Sequence, residues 1–135
     1  MLVLEDADLE QAVNLAAWGS FFHQSQICMT TGWHVVHARL YDDFVEALAE
    51  KADHLPVGNP ATEQVALGLV IDEGQRDRIH GLEHRSGRQG RGGGVVRRVA
   101  LPAHRAVRGD PAHPAFAEEL FGPVAPVLLP GWAPS

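Results

Sequence analysis

The chain predicts an α/β fold built on a parallel sheet, and three observations carry that expectation. Short β-branched runs alternate with helical runs over the first 83 residues. The helical runs carry apolar stripes at the spacing of an amphipathic helix. The composition, 45% hydrophobic and 21% charged over 135 residues, is that of an ordinary globular chain able to bury one modest core.

Leu2-Val3-Leu4 reads as a short strand. Asp6 or Asp8 can cap a following helix that sets Leu9, Ala12, Val13, Ala16 and Ala17 on one face. A polar turn from His23 to Gln26 leads to Trp33-His34-Val35-Val36-His37, whose aromatic and β-branched residues suit a second strand. The next helix begins near Asp42, with Asp42 and Asp43 at its positive end and Phe44, Val45, Leu48, Ala52 and Leu55 along its apolar stripe. Pro56-Val57-Gly58-Asn59-Pro60 stops it.

Beyond Glu83 the character changes. From His84 to Gly109 every charged residue is an arginine, Gly92-Gly93-Gly94 lies within the stretch, and no helical or strand period of useful length is present. Three zones follow: an acidic, well patterned one over 1–83, an Arg/Gly-rich one over 84–109 expected to be irregular or disordered, and a closing one over 110–135.

The formal net charge of −6 argues against nucleic acid as the principal partner. No apolar run approaches the roughly 20 residues that span a bilayer, and the first residues lack a basic signal-like start, so no membrane partner and a cytoplasmic location are expected. Cys28 is the only cysteine, which excludes an internal disulfide and a cysteine-built zinc site within these residues and suits a reducing compartment. His80 and His84 are four apart on a possible helix, and His34 and His37 three apart on a strand, where they would face opposite ways; neither pair makes a metal motif, and solvated or locally hydrogen-bonded histidines are expected.

A lone intracellular cysteine is most often a small buried hydrophobe, but the neighbours of Cys28 point elsewhere. Phe21-Phe22-His23-Gln24-Ser25-Gln26-Ile27-Cys28-Met29 resembles the active-site segment of aldehyde dehydrogenases, in which Gln-x-Cys follows an aromatic pair and a polar turn. Pro56-Val57-Gly58-Asn59-Pro60, Leu67-Gly68 and Ile71-Asp72 are similar to further segments of that family, in the same order and spacing. Glu118-Glu119-Leu120-Phe121-Gly122-Pro123-Val124 is similar to its Glu-x-Phe-Gly-Pro motif, the most specific of these signals. The resemblance covers about residues 2–83 and 111–127, and Phe-Phe, Cys-Met-Thr-Thr and Val-Val-His bring it nearest to the benzaldehyde and vanillin types.

The resemblance implies part of the family's catalytic domain, and an NAD- or NADP-dependent oxidation of a small aromatic aldehyde to its acid through a cysteine thiohemiacetal and thioester. By motif position Cys28 is the nucleophile, Glu119 hydrogen-bonds the nicotinamide ribose and Phe121 packs beside the nicotinamide ring. These 135 residues contain no Glu-Leu-Gly-Gly segment for the general base, no cofactor-binding half, no oxyanion asparagine and no family oligomerisation strand. The isolated chain is therefore expected to be inactive, because losing one oxyanion donor alone costs on the order of a hundredfold or more.

Departures from the family pattern cluster near the thiol: His23 for Asn, Ser25 for Gly, Trp33 for Arg and Leu69 for Pro. A glycine at position 25 reaches positive φ at no steric cost, whereas serine pays about 1 kcal/mol or more. Out-of-frame translation of a GC-rich gene accounts for the composition of 84–109. Plausible codons for residues 98–107, read in a shifted frame, can spell Ser-Arg-Phe-Arg-Pro-Thr-Val-Leu-Ser, close to the family's Phe-Tyr-Arg-Pro-Thr-Val-Leu. Residues 128–135 are then a second altered end. A different class of function, binding of RNA or DNA phosphates, takes the Arg/Gly zone at face value, and the absence of interleaved aromatics counts against it.

Overall fold

The computed structural model describes residues 1–84, 105–108 and 118–130. They form a four-stranded parallel sheet with three α-helices. The elements run β1 (Leu2–Val3), α1 (Leu9–Phe21), β2 (His34–Val36), α2 (Tyr41–Asp53), α3 (Glu73–His84), β3 (Arg105–Arg108) and β4 (Val124–Leu128). The spatial order is β1-β2-β4-β3, with Leu2 opposite Val35, His34 opposite Val127 and Arg105 opposite Val124. Parallel neighbours need a crossover between them, and α1 supplies it between β1 and β2.

The local causes are those the sequence carries. Asp8 caps α1, its Oδ1 accepting the Gln11 N–H at 2.8 Å, so Asp8 rather than Asp6 starts the helix. Ala12, Val13, Ala16, Ala17 and Phe21 then fall on the buried side. Helix α2 has no side-chain cap; Asp42 and Asp43 in its first turn and Lys51 in its last complement the helix dipole, while Phe44, Val45, Leu48 and Ala52 are buried. The two helices pack on each other, α1 against β4 and α2 against β3. One core cluster joins them to Val3, Val36, Ala125 and Val127, and Tyr41 hands its hydroxyl to the Val127 carbonyl at 3.3 Å.

Three outcomes differ from the sequence-based expectation. Within residues 84–109, expected to be irregular or disordered, His84 closes α3 and Arg105–Arg108 pair residue for residue with Val124–Val127; residues 85–104 and 109 lie outside the described residues. Arg-Ala-Val-Arg has no strand signal beyond its four residues, and the ladder to a buried neighbour supplies what local propensity lacks. Leu128, placed at an altered end, is the last residue of β4 and sits opposite Val35. All five residues of β4 are buried, as in a strand covered on both faces.

His34 is the third. It is fully buried rather than solvated, and its Nε2 lies 2.6 Å from Ser20 Oγ, fourteen residues away in sequence. Burial, with a smaller push from the nearby positive chain terminus, lowers its pKa to about 4. Because the unfolded value near 6.5 is higher, the unfolded chain takes up a proton first. The contribution of neutral His34 to stability is complete above about pH 6.5 and is lost as pH falls toward 4, by about 3 kcal/mol in all. Denaturation midpoints measured from pH 7.5 to 4 are expected to show this slope and to lose it in His34→Asn; an equal slope in both proteins would refute the assignment.

Candidate active site

Cys28 is exposed and stands second in the turn closed by the Thr30 N–H on the Ile27 carbonyl at 3.1 Å. The chain reaches it by an unusual route. After α1, His23, Gln24 and Ser25 have φ of 51°, 57° and 56°, one turn of left-handed backbone built without glycine. Such conformations cost non-glycine residues about 1–2 kcal/mol each, and they persist only where the surroundings fix them.

The surroundings do. Gln26 Oε1 accepts the Ile71 N–H at 3.0 Å, and the Gln24 amide, oriented by its neighbours, accepts from the Gly68 N–H and donates to the His23 carbonyl. The Thr31 N–H bonds the Gly19 carbonyl at 2.9 Å, and a Cβ on Gly19 would meet Thr31 Oγ1 at 2.5 Å, so the returning chain lies directly on α1. The glutamine of Gln-x-Cys is therefore a brace between two of the motif segments noted in the sequence. On the outer side Trp18 stacks on Phe22 at 4.8 Å, and Phe22 meets the His23 ring edge-on at 4.5 Å.

Ser25 pays twice: its φ is positive and its buried hydroxyl has no partner. Ser25→Gly is expected to stabilise the chain by about 1 kcal/mol. Ser25→Ala, which removes the hydroxyl but keeps the backbone penalty, is expected to gain less. Equal denaturation midpoints for wild type and Ser25→Gly would rule this out.

Cys28, Glu119 and Phe121 line one cleft of about 760 Å³, together with Ser25, Thr30, Trp33 and Gly122 among others. The resemblance named the first three from stretches ninety residues apart; the fold brings them to one place. Glu119 is exposed, and Phe121 presents its ring half-exposed from a backbone with φ 48°. Gln75 and Arg78 hold this segment from α3 through its carbonyls. They belong to no motif, and the only sequence signal for them is a three-residue spacing on a helix whose target the sequence does not show. His37 approaches Glu5 at 4.0 Å on the surface, away from the buried His34. Among the described residues no helix is long and apolar enough to cross a membrane.

The sequence profile described as the aldehyde dehydrogenase family matches residues 1–129. A vanillin dehydrogenase of an Amycolatopsis species is 58% identical over 130 residues, and a benzaldehyde dehydrogenase [NAD(+)] of Pseudomonas putida 43% identical over 131. These alignments take in 94% and 95% of this chain and 27% of each relative, so the chain spans about a quarter of the length of the curated relatives it matches. The crystal structure of a salicylaldehyde dehydrogenase from Pseudomonas putida G7, complexed with salicylaldehyde, superposes with a TM-score of 0.84 at 33% identity, covering 95% of this chain and 27% of that one.

Proposed function

Because the chain belongs to the aldehyde dehydrogenase family, we propose that it carries the thiol and the nicotinamide-contact segment of an enzyme that oxidises aromatic aldehydes to their carboxylic acids. The observation that carries this reading is the convergence of Cys28, Glu119 and Phe121 on one cleft. Its volume of about 760 Å³ lies in the range of small-molecule sites. An exposed carboxylate able to accept from sugar hydroxyls and an exposed aromatic ring able to lie beside a flat heterocycle fit a nicotinamide nucleotide. When bound, NAD or NADP supplies the hydride acceptor.

The residues of the chain do the rest. The Cys28 thiolate adds to the aldehyde carbon and forms a thiohemiacetal, whose hydride is lost to leave a thioester on Cys28; water then adds to the thioester carbon and releases the acid and the thiol. Exposure in a turn gives Cys28 an open approach. Aromatic substrates are favoured by the names of the relatives and by the exposed Trp18 and Phe22 rings beside the loop. The 135 residues alone hold neither the segment assigned to the general base nor the adenosine half of the cofactor site, so turnover is expected only when those parts are supplied.

The Arg/Gly composition of residues 84–109 we assign to a shifted reading frame, which sequencing of the transcript tests. The function itself is tested by a hybrid in which residues 1–83 replace the matching stretch of the Amycolatopsis relative. Reduction of NAD or NADP with benzaldehyde or vanillin is expected from the hybrid and not from the 135-residue chain. A folded, cofactor-binding hybrid that forms no acid from either aldehyde would sink the reading.

A further inference from the structure

We propose that Gln75 and Arg78 are positioning residues that fix the Glu118–Phe121 segment and thereby aim the Glu119 carboxylate and the Phe121 ring into the cleft beside Cys28; the functional part of this inference rests on the reading of Glu119 and Phe121 as nicotinamide contacts.

Two side chains take three consecutive carbonyls. Gln75 Nε2 donates to the Leu120 and Phe121 carbonyls, both at 2.9 Å. Arg78 donates from Nη1 to Leu120 O at 3.1 Å and from Nη2 to Glu119 O at 2.7 Å, and Nη2 also lies 3.8 Å from the Glu118 carboxylate. Positions 75, 78 and 79 share one face of α3, and Ile79 completes the seat: a Cβ on Gly122 would collide with Ile79 Cδ1 and Cγ1. Only glycine lets the segment lie this close.

The donors answer a specific need. Phe121 holds φ 48°, a left-handed conformation that an aromatic residue keeps only when its neighbours over-determine it. The arginine fork satisfies two adjacent carbonyls in a fixed geometry, which a single ammonium cannot reproduce. The Gln75 backbone is itself anchored, its N–H bonded to Asp72 Oδ1 at 2.7 Å at the start of α3. The acidic segment Ile71-Asp72, the helix and the Glu-Leu-Phe-Gly-Pro motif are thus one mechanical unit, and Ile71 ties that unit to the Cys28 loop through Gln26.

Amide hydrogen exchange on the 135-residue chain tests the proposal. In Gln75→Glu, which sets a carboxylate of the same shape against carbonyl oxygens, and in Arg78→Ala, exchange at Leu120 to Val124 is expected to rise about tenfold, with α1 and α2 unchanged. Arg78→Lys is expected to recover part of the protection. Unchanged exchange in the segment overturns the proposal, and so does a rise spread equally over α1 and α2, because the two residues would then hold the whole chain rather than this segment. Binding of NADH to the Amycolatopsis relative carrying residues 1–83 and 118–128 of this chain, read by its fluorescence at unchanged melting midpoint, separates the two layers. Affinity lowered about tenfold by both Gln75→Glu and Glu119→Gln supports the aiming role. Affinity lowered by Glu119→Gln alone overturns it. A local exchange effect with NADH affinity unmoved by Glu119→Gln removes the cofactor reading and leaves the segment-fixing role standing.

Discussion

Cys28→Ala in the hybrid is expected to lower aldehyde-dependent reduction of the nicotinamide by at least about ten-thousandfold, the scale on which removal of a covalent nucleophile acts. No other thiol exists in residues 1–83 to replace it. The alanine removes a side chain that is exposed at a turn and contributes little to the core, so the melting midpoint should stay within about 1 °C of the parent hybrid, as for a surface substitution. Activity lost together with the fold would not count as support, which makes the midpoint part of the measurement. Cys28→Ser is the stricter variant. It keeps the shape but replaces the sulfur nucleophile by a much weaker hydroxyl oxygen, and it is expected to be nearly as inactive as alanine. Retention of a tenth or more of the parent rate by either variant would show that acyl transfer does not pass through residue 28.

Phe44→Ala is expected to destabilise the chain by about 3–5 kcal/mol, the largest stability effect of any single change considered. The ring is fully buried on α2 and lies 6.0 Å from the His34 ring, centroid to centroid. Its removal leaves a cavity where α2 faces the sheet, and the buried face of α1, mostly small residues apart from Phe21, offers little with which to fill it. Domains of this size are stable by about 5–15 kcal/mol, so the loss is about a fifth or more of the total. Denaturant unfolding should show a lower midpoint at similar slope. A shift equivalent to under 1 kcal/mol would mean that the core closes around the gap. Where the gap stays open, His34, the group beside Phe44, should titrate closer to its unperturbed value as water enters.

Much of the fold was legible because the causes are local. The helical stripe at Phe44, Val45, Leu48 and Ala52 and the cap at Asp8 are properties of a few neighbouring residues, and each acts in the structure as the sequence implies. Strands β1 and β2 came out shorter than their apolar runs, by one residue and two, because pairing rather than propensity sets where a ladder ends. Strand β4 gave a weaker signal. It carries Pro126 in its interior, opposite Val107, where proline gives up a ladder donor and counts locally against a central strand. Burial on both faces overrides that cost. The burial of His34 was invisible for a related reason: on a strand, spacing assigns His34 and His37 to opposite faces but does not say which face is covered.

The sequence by itself determined the family, the identity of the candidate nucleophile and the order of helices and strands over residues 1–55, since motifs and periodicities are written in neighbouring residues. It also identified Ser25 as a residue in a place suited to glycine, and the φ of 56° agrees. Only the tertiary structure decided that Cys28, Glu119 and Phe121 share a cleft, that Gln26 braces the thiol loop against Ile71, and that Gln75 and Arg78 grip the carbonyls of the distant motif. These contacts join residues about 40–90 positions apart, and a parallel sheet brings such residues together through crossovers whose packing is settled by the whole core rather than by any one segment.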